Sequence, residues 1–153
     1  MPGTIDARLT DLGLTLPEPT APAANYVPFV RSGSLVFVSG QISVTADGII
    51  KGVLGADMDV DAGAAAAKVC GLNLIAHLKA ACGGDLDRVV RVVKLLGFVN
   101  SAPGFDQQPV VVNGCSNLMV DVFGDKGRHA RSAVGASLPF GAAVEVEGIF
   151  EIA

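Results

Sequence analysis

Hydrophobic positions along this chain change period several times, and each change marks an element. Ile5, Leu9 and Leu12 recur at roughly helical spacing and Gly13 stops them, which predicts a short helix over Thr4 to Leu12. Pro17, Pro19 and Pro22 then make an extended connector. Tyr26 to Val30 and Leu35 to Ser39 read as a β-hairpin around Arg31-Ser32-Gly33-Ser34, and Pro28 favours an edge position for its first strand. Ala46-Asp47-Gly48 is a second turn, followed by a short strand at Ile49 to Lys51. The strongest helix runs from about Asp59 to Ala81. Asp59 or Asp61 can cap it, Ala65, Val69, Leu72, Ala76 and Ala80 share one face, and Gly83-Gly84 ends it. Arg88 to Val99 is a long, valine-rich strand. Asp106 to Phe123 holds a second helix, striped by Val111, Cys115, Leu118 and Val122 and closed by Gly124. A terminal hairpin from His129 to Ile152, turning at Leu138-Pro139-Phe140-Gly141, completes the chain.

The order hairpin, helix, strand, helix, hairpin predicts one α+β domain with two long helices on one face of a mixed sheet. The helix over Thr4 to Leu12 and the proline connector, residues 1–23, precede the sheet. The Arg88–Val99 strand is apolar on both faces, with Val89, Val93, Leu95 and Val99 on one and Val90, Val92, Leu96 and Phe98 on the other. Two helices cover one face only, so the other must find cover elsewhere. This predicts an oligomer whose sheets pack together.

Composition narrows the function classes. Half of the 153 residues are hydrophobic and the formal net charge is −4, with eleven Lys and Arg scattered and never clustered. Nucleic-acid binding as a main role is disfavoured, since it needs a clustered basic face. No apolar run reaches the length of a membrane span, and the start Met-Pro-Gly-Thr-Ile-Asp has no basic-then-apolar leader, so the expected location is cytoplasmic. Cys70, Cys82 and Cys115 match no ligand or disulfide motif and are expected to be buried and reduced. No metal site is expected.

The chemistry concentrates in the terminal pair of strands. Arg131 lies on the first, and Glu145 and Glu147 share one face of the second. Arginine grips a planar carboxylate with two parallel hydrogen bonds, and a nearby carboxylate can orient water or move a proton. On spacing alone, a cross-strand ion pair on a solvated face is the favoured reading.

The ordered motifs change that weighting. Asn25-Tyr26, Val38-Ser39-Gly40-Gln41-Ile42, Ala130-Arg131-Ser132, Leu138-Pro139 and Val144-Glu145-Val146-Glu147 together resemble the Rid family, the YjgF-type reactive-intermediate deaminases, also labelled L-PSP endoribonucleases. The resemblance runs from about Ala24 to the C-terminus. It implies a homotrimer of the chorismate-mutase-like fold with sites between subunits. It also implies hydrolysis of small 2-imino or enamine acids to 2-keto acids and ammonia, without metal or organic cofactor. By position in the motifs, Arg131 matches the carboxylate-binding arginine and Glu145 the water-orienting acid. Gly40 matches the glycine whose amide helps hold the carboxylate, Ser39 and Tyr26 match wall residues, and Asn113 is a weaker match.

Two departures stand out, and an N-terminal helix before the usual family start and a longer segment around Gly97 to His129 also mark a side branch. The Arg131–Leu138 segment is one residue shorter than the family pattern, and the position two after the arginine, commonly cysteine, is Ala133, leaving only a backbone role there. Other residues have plain alternatives. Tyr26 fits interface packing as well as a site, and His129 reads as a surface or interface histidine without a partner. Phe98, Phe123 and Phe140 read as core or pocket lining. Three classes stay open: imine deaminase, non-catalytic binder of small carboxylates or of a partner protein, and, weakest, endoribonuclease.

Overall fold

Alternating apolar residues build a five-stranded sheet, and two long helices cover one of its faces. The computed structural model describes residues 3–19 and 25–153. Pro22 of the expected connector lies outside the described residues. Helix α1 spans Thr4–Asp11, α2 Val60–Ala81 and α3 Gln108–Phe123. The strands are β1 Phe29–Ser32, β2 Leu35–Ile42, β3 Val44–Thr45, β4 Gly48–Ile49, β5 Val89–Asn100, β6 Ala130–Ala136 and β7 Val144–Ile152.

Local chemistry explains the helix ends. Asp59 caps α2, its side chain accepting from the Ala62 amide at 2.8 Å. Beyond Cys82, Gly83 takes the left-handed conformation (φ 66°) that ends the helix. Helix α1 borrows its cap from elsewhere: the Asp87 carboxylate accepts from the Thr4 and Ile5 amides at 2.8 and 2.9 Å, and those two bonds hold its pKa below the usual carboxylate value. Helices α2 and α3 meet through small residues. A Cβ on Gly114 would run into the Ala64 carbonyl, so only glycine permits that backbone approach.

The sheet order is β1-β2-β7-β5-β6, with β5 and β6 parallel and the other neighbours antiparallel. This corrects the expected terminal hairpin. Strands β6 and β7 do not pair, because β5 lies between them. A parallel pair needs a crossover, and α3 supplies it between β5 and β6. Burial explains the placement. The β7 residues Val144, Val146, Phe150 and Ile152 are buried, which suits a central strand, whereas the short, alanine- and glycine-containing β6 takes the edge. The first hairpin forms with β1 at the opposite edge. Its first strand is Phe29–Ser32 rather than Tyr26 to Val30, so Arg31 and Ser32 pair with Val36 and Leu35 and the turn is Gly33-Ser34.

The two faces of β5 also divide differently from strict alternation. Register shifts between Val89 and Arg91 and between Val92 and Lys94 each insert one residue. Val92 therefore joins Val89, Leu95 and Val99 in the core beneath the helices. Leu96 and Phe98 lie on the other face, half-buried. Val30, Phe37 and Val134 accompany them there, 53%, 42% and 44% exposed. An apolar face without helices thus remains, as the composition of β5 anticipated. Phe123 is core, whereas Phe140 is 73% exposed at the turn before β7 and is not core packing in the single chain. All three cysteines are free and buried.

Candidate active site

The sequence-derived residues fall into two groups in one chain, and the sheet separates them. Arg131 pairs with Leu95, and Leu95 with Gly148, so Arg131 lies on the face that carries the helices. Its guanidinium reaches α3, where Nη1 donates to Asn113 Oδ1 at 2.7 Å and to Ser116 Oγ at 3.2 Å. Asn113 is thereby brought to Arg131. Ala133 sits two residues along β6 opposite Gly97, its side chain packed against the core. The cleft beside Arg131 has a volume of about 270 Å³ and is lined by Ser116, Asn117, Val120, Arg128, His129 and Arg131.

The second group surrounds Glu145. Alternation with buried Val144 and Val146 turns Glu145 to the face without helices, opposite Phe98 on one side and Ile42 on the other. Gly40 occupies the register shift in β2 against this carboxylate, and a Cβ there would lie 3.0 Å from Glu145 Cδ. Close backbone approach is what the absent side chain allows. Ser39 holds the preceding segment: its hydroxyl donates to the Val27 carbonyl and its amide to the Pro28 carbonyl, both at 2.8 Å. Those bonds tie Val27 and Pro28 to β2, and Tyr26, next in the chain before them, is 60% exposed. Burial raises the Glu145 pKa above the usual carboxylate value, and the charge of Glu147 adds to the rise.

Strand spacing puts Arg131 and Glu145 roughly 14 Å apart at Cα, two strands and three residues away on opposite faces. The cross-strand ion pair favoured on spacing alone is therefore absent from the single chain. Among the described residues, no carboxylate lies within ion-pair distance of Arg131. Nor does any group of three or more His, Cys, Asp or Glu stand where it could hold a metal ion, again among the described residues. Cys115, completely buried, has its pKa pushed up to about 12 by burial, partly offset by the Arg131 charge.

Sequence reasoning missed two members of the arginine cluster. Ser116 donates to or accepts from His129 Nε2 at 2.9 Å, and His129 Nδ1 lies 2.6 Å from the Gly127 carbonyl. The expectation that His129 has no partner is thus corrected. Its partner sits on a helix rather than on a neighbouring strand. A signal was present: Asn113 and Ser116 are polar residues three apart on α3, hence on one face.

A mixed sheet with two long helices on one face defines the chorismate-mutase-like α+β fold. The chain belongs to the YjgF family, whose model, described as "YjgF/chorismate mutase-like, putative endoribonuclease", matches residues 6–144. It is 52% identical to Protein TCP17 of Trypanosoma cruzi over 153 residues, covering 98% of this chain and 95% of that protein. The crystal structure of Atu1372 from Agrobacterium tumefaciens, of unknown function, is similar at 50% identity and a TM-score of 0.90, over 97% of this chain and 93% of that one. A Shewanella oneidensis MR-1 protein described in the same endoribonuclease terms aligns at 35% identity and a TM-score of 0.93, over 98% and 100% of the two chains. No helix among the described residues is long and apolar enough to cross a membrane.

Proposed function

We propose that this protein hydrolyses small 2-imino or enamine acids to 2-keto acids and ammonia, at sites shared between the subunits of a homotrimer. The observation that carries the reading is Arg131, a guanidinium fixed by neutral acceptors on α3 with no carboxylate partner among the described residues. A site built to receive a substrate carboxylate needs such a group. The second support is the distribution of the remaining candidates. Arg131, Asn113 and Ala133 form one half, whereas Tyr26, Ser39, Gly40 and Glu145 form another that the single chain does not bring to it. Packing of the exposed apolar face against neighbouring subunits covers Phe37 and Val134 and lets the half from one chain meet the half from the next.

In that arrangement Arg131 and the Gly40 amide hold the carboxylate, and Glu145 faces the imine carbon. Glu145 takes a proton from water as the oxygen adds to that carbon and passes it to the imine nitrogen, which gives the carbinolamine. Glu145 then takes the carbinolamine hydroxyl proton and delivers it to the amino nitrogen as the C–N bond breaks, so the keto acid and ammonia leave and the carboxylate is restored. A raised carboxyl pKa suits this exchange, because a carboxylate that binds its proton more readily is the stronger base.

Imino acids generated in situ by a threonine dehydratase or an amino-acid oxidase provide the test. Added protein should accelerate ammonia release well above the rate in buffer. Tight 2-ketobutyrate binding with no acceleration would leave the chain a carboxylate binder. The endoribonuclease description belongs to relatives, and a net charge of −4 weighs against a polyanionic substrate here.

A further inference from the structure

We propose that His129 and Ser116 are positioning residues for Arg131, forming with the Gly127 carbonyl a one-directional hydrogen-bond chain that leaves the Nε–Nη2 edge of the guanidinium free to grip a carboxylate side-on. The inference rests on the carboxylate-binding role proposed for Arg131.

The direction of every link follows from the two ends. The Gly127 carbonyl can only accept, so His129 Nδ1, 2.6 Å away, carries the proton. In the neutral ring Nε2 is then an acceptor, and the Ser116 hydroxyl, 2.9 Å away, donates to it. That hydroxyl proton is committed, so the Ser116 lone pairs face Arg131 Nη1, which can only donate, at 3.2 Å. Asn113 Oδ1 takes the other Nη1 hydrogen at 2.7 Å. Both Nη1 hydrogens are consequently used by α3, whereas Nε and Nη2 have no protein partner among the described residues. The hydrogens of that free edge have the parallel geometry that a bidentate carboxylate contact needs.

The chain is anchored as well as ordered. Gly127 is buried, and its backbone lies so close to the Met119 carbonyl of α3 that a Cβ would not fit. The 3-10 turn at Gly124–Gly127 therefore fixes the accepting carbonyl relative to the helix that carries Ser116. Bonds aligned in one direction polarise one another, so each link strengthens the next. Without His129, the Ser116 hydroxyl is free to rotate, and Arg131 loses an acceptor of fixed orientation.

The test is 2-ketobutyrate affinity by calorimetry for Ser116→Ala, His129→Ala, the double variant, and each in an Arg131→Ala background, with thermal unfolding to confirm folding. Ser116→Ala and His129→Ala should each weaken binding roughly 5- to 30-fold. The double variant should be no weaker than the worse single, because both break one chain, and neither change should matter once Arg131 is gone. His129→Gln, whose side-chain carbonyl can accept from Ser116, should recover part of the affinity. Independent, multiplying losses, or wild-type binding by both single variants while Arg131→Ala binds nothing, would overturn the chain and leave the carboxylate reading standing. Unchanged binding by Arg131→Ala would overturn both. Nitrogen NMR of the wild-type protein adds a check that no folding defect can obscure: neutral His129 should be protonated at Nδ1, and an Nε2-protonated ring would contradict the proposal.

Discussion

Replacing Arg131 with alanine is expected to lower kcat/KM for imine hydrolysis by roughly 30- to 1000-fold, the equivalent of about 2–4 kcal/mol of lost charge-assisted grip. The fold should survive. Arg131 is half-buried on an edge strand, and its bonds reach side chains on α3 rather than the sheet interior. The loss should be clear in ligand affinity, because the carboxylate is held in the ground state as well as in the transition state. Wild-type kinetics in this variant would reduce Arg131 to a structural tie between β6 and α3.

Glu145→Gln should separate binding from turnover. Glutamine keeps the size of the side chain against Gly40 but cannot take a proton from water. Turnover should fall by roughly 10²- to 10⁴-fold, the usual range for a removed general base, with 2-ketobutyrate affinity little changed. Stability supplies a second readout of the same variant. Burial raises the Glu145 pKa, so the folded state holds this proton more readily than the unfolded chain. Stability from this group therefore declines as pH rises from the unfolded value through the folded one, and the glutamine variant should lack that decline. Glu147 lines a hollow on the face without helices with Phe37, Lys94 and Ile149, so Glu147→Gln should act mainly on stability or assembly. Normal turnover in Glu145→Gln would remove the water-orienting role.

The parts of this fold that were legible are those set by local chemistry. The cap at Asp59, the stop at Gly83 and the hydrophobic stripe of α3 each depend on neighbours within a few residues, and each forms where the pattern predicts. The terminal hairpin failed because strand pairing is non-local. A short connection after β6 suggested direct pairing, whereas the apolar β7 finds more burial between β2 and β5. The bulges of β5 carry no mark in a run of valines, so strict alternation assigned Val92 to the wrong face. For the site, motif order brought out Arg131, Asn113, Gly40 and Glu145, and the structure joins them only pairwise. Ser116 stayed hidden, and His129 was read as lacking a partner, because strand alternation says nothing of what a facing helix presents.

Mixing the two inactive variants tests the central claim, a site divided between subunits. Arg131→Ala and Glu145→Gln chains, unfolded together and refolded at equal concentration, should form hybrid trimers in which some interfaces join an intact arginine to an intact glutamate. Random assembly of a cyclic trimer restores about a quarter of the sites, so ammonia release should return to about a quarter of the wild-type rate. A mixture no more active than its two parents would contradict the account, placing both residues in one chain's site or in none.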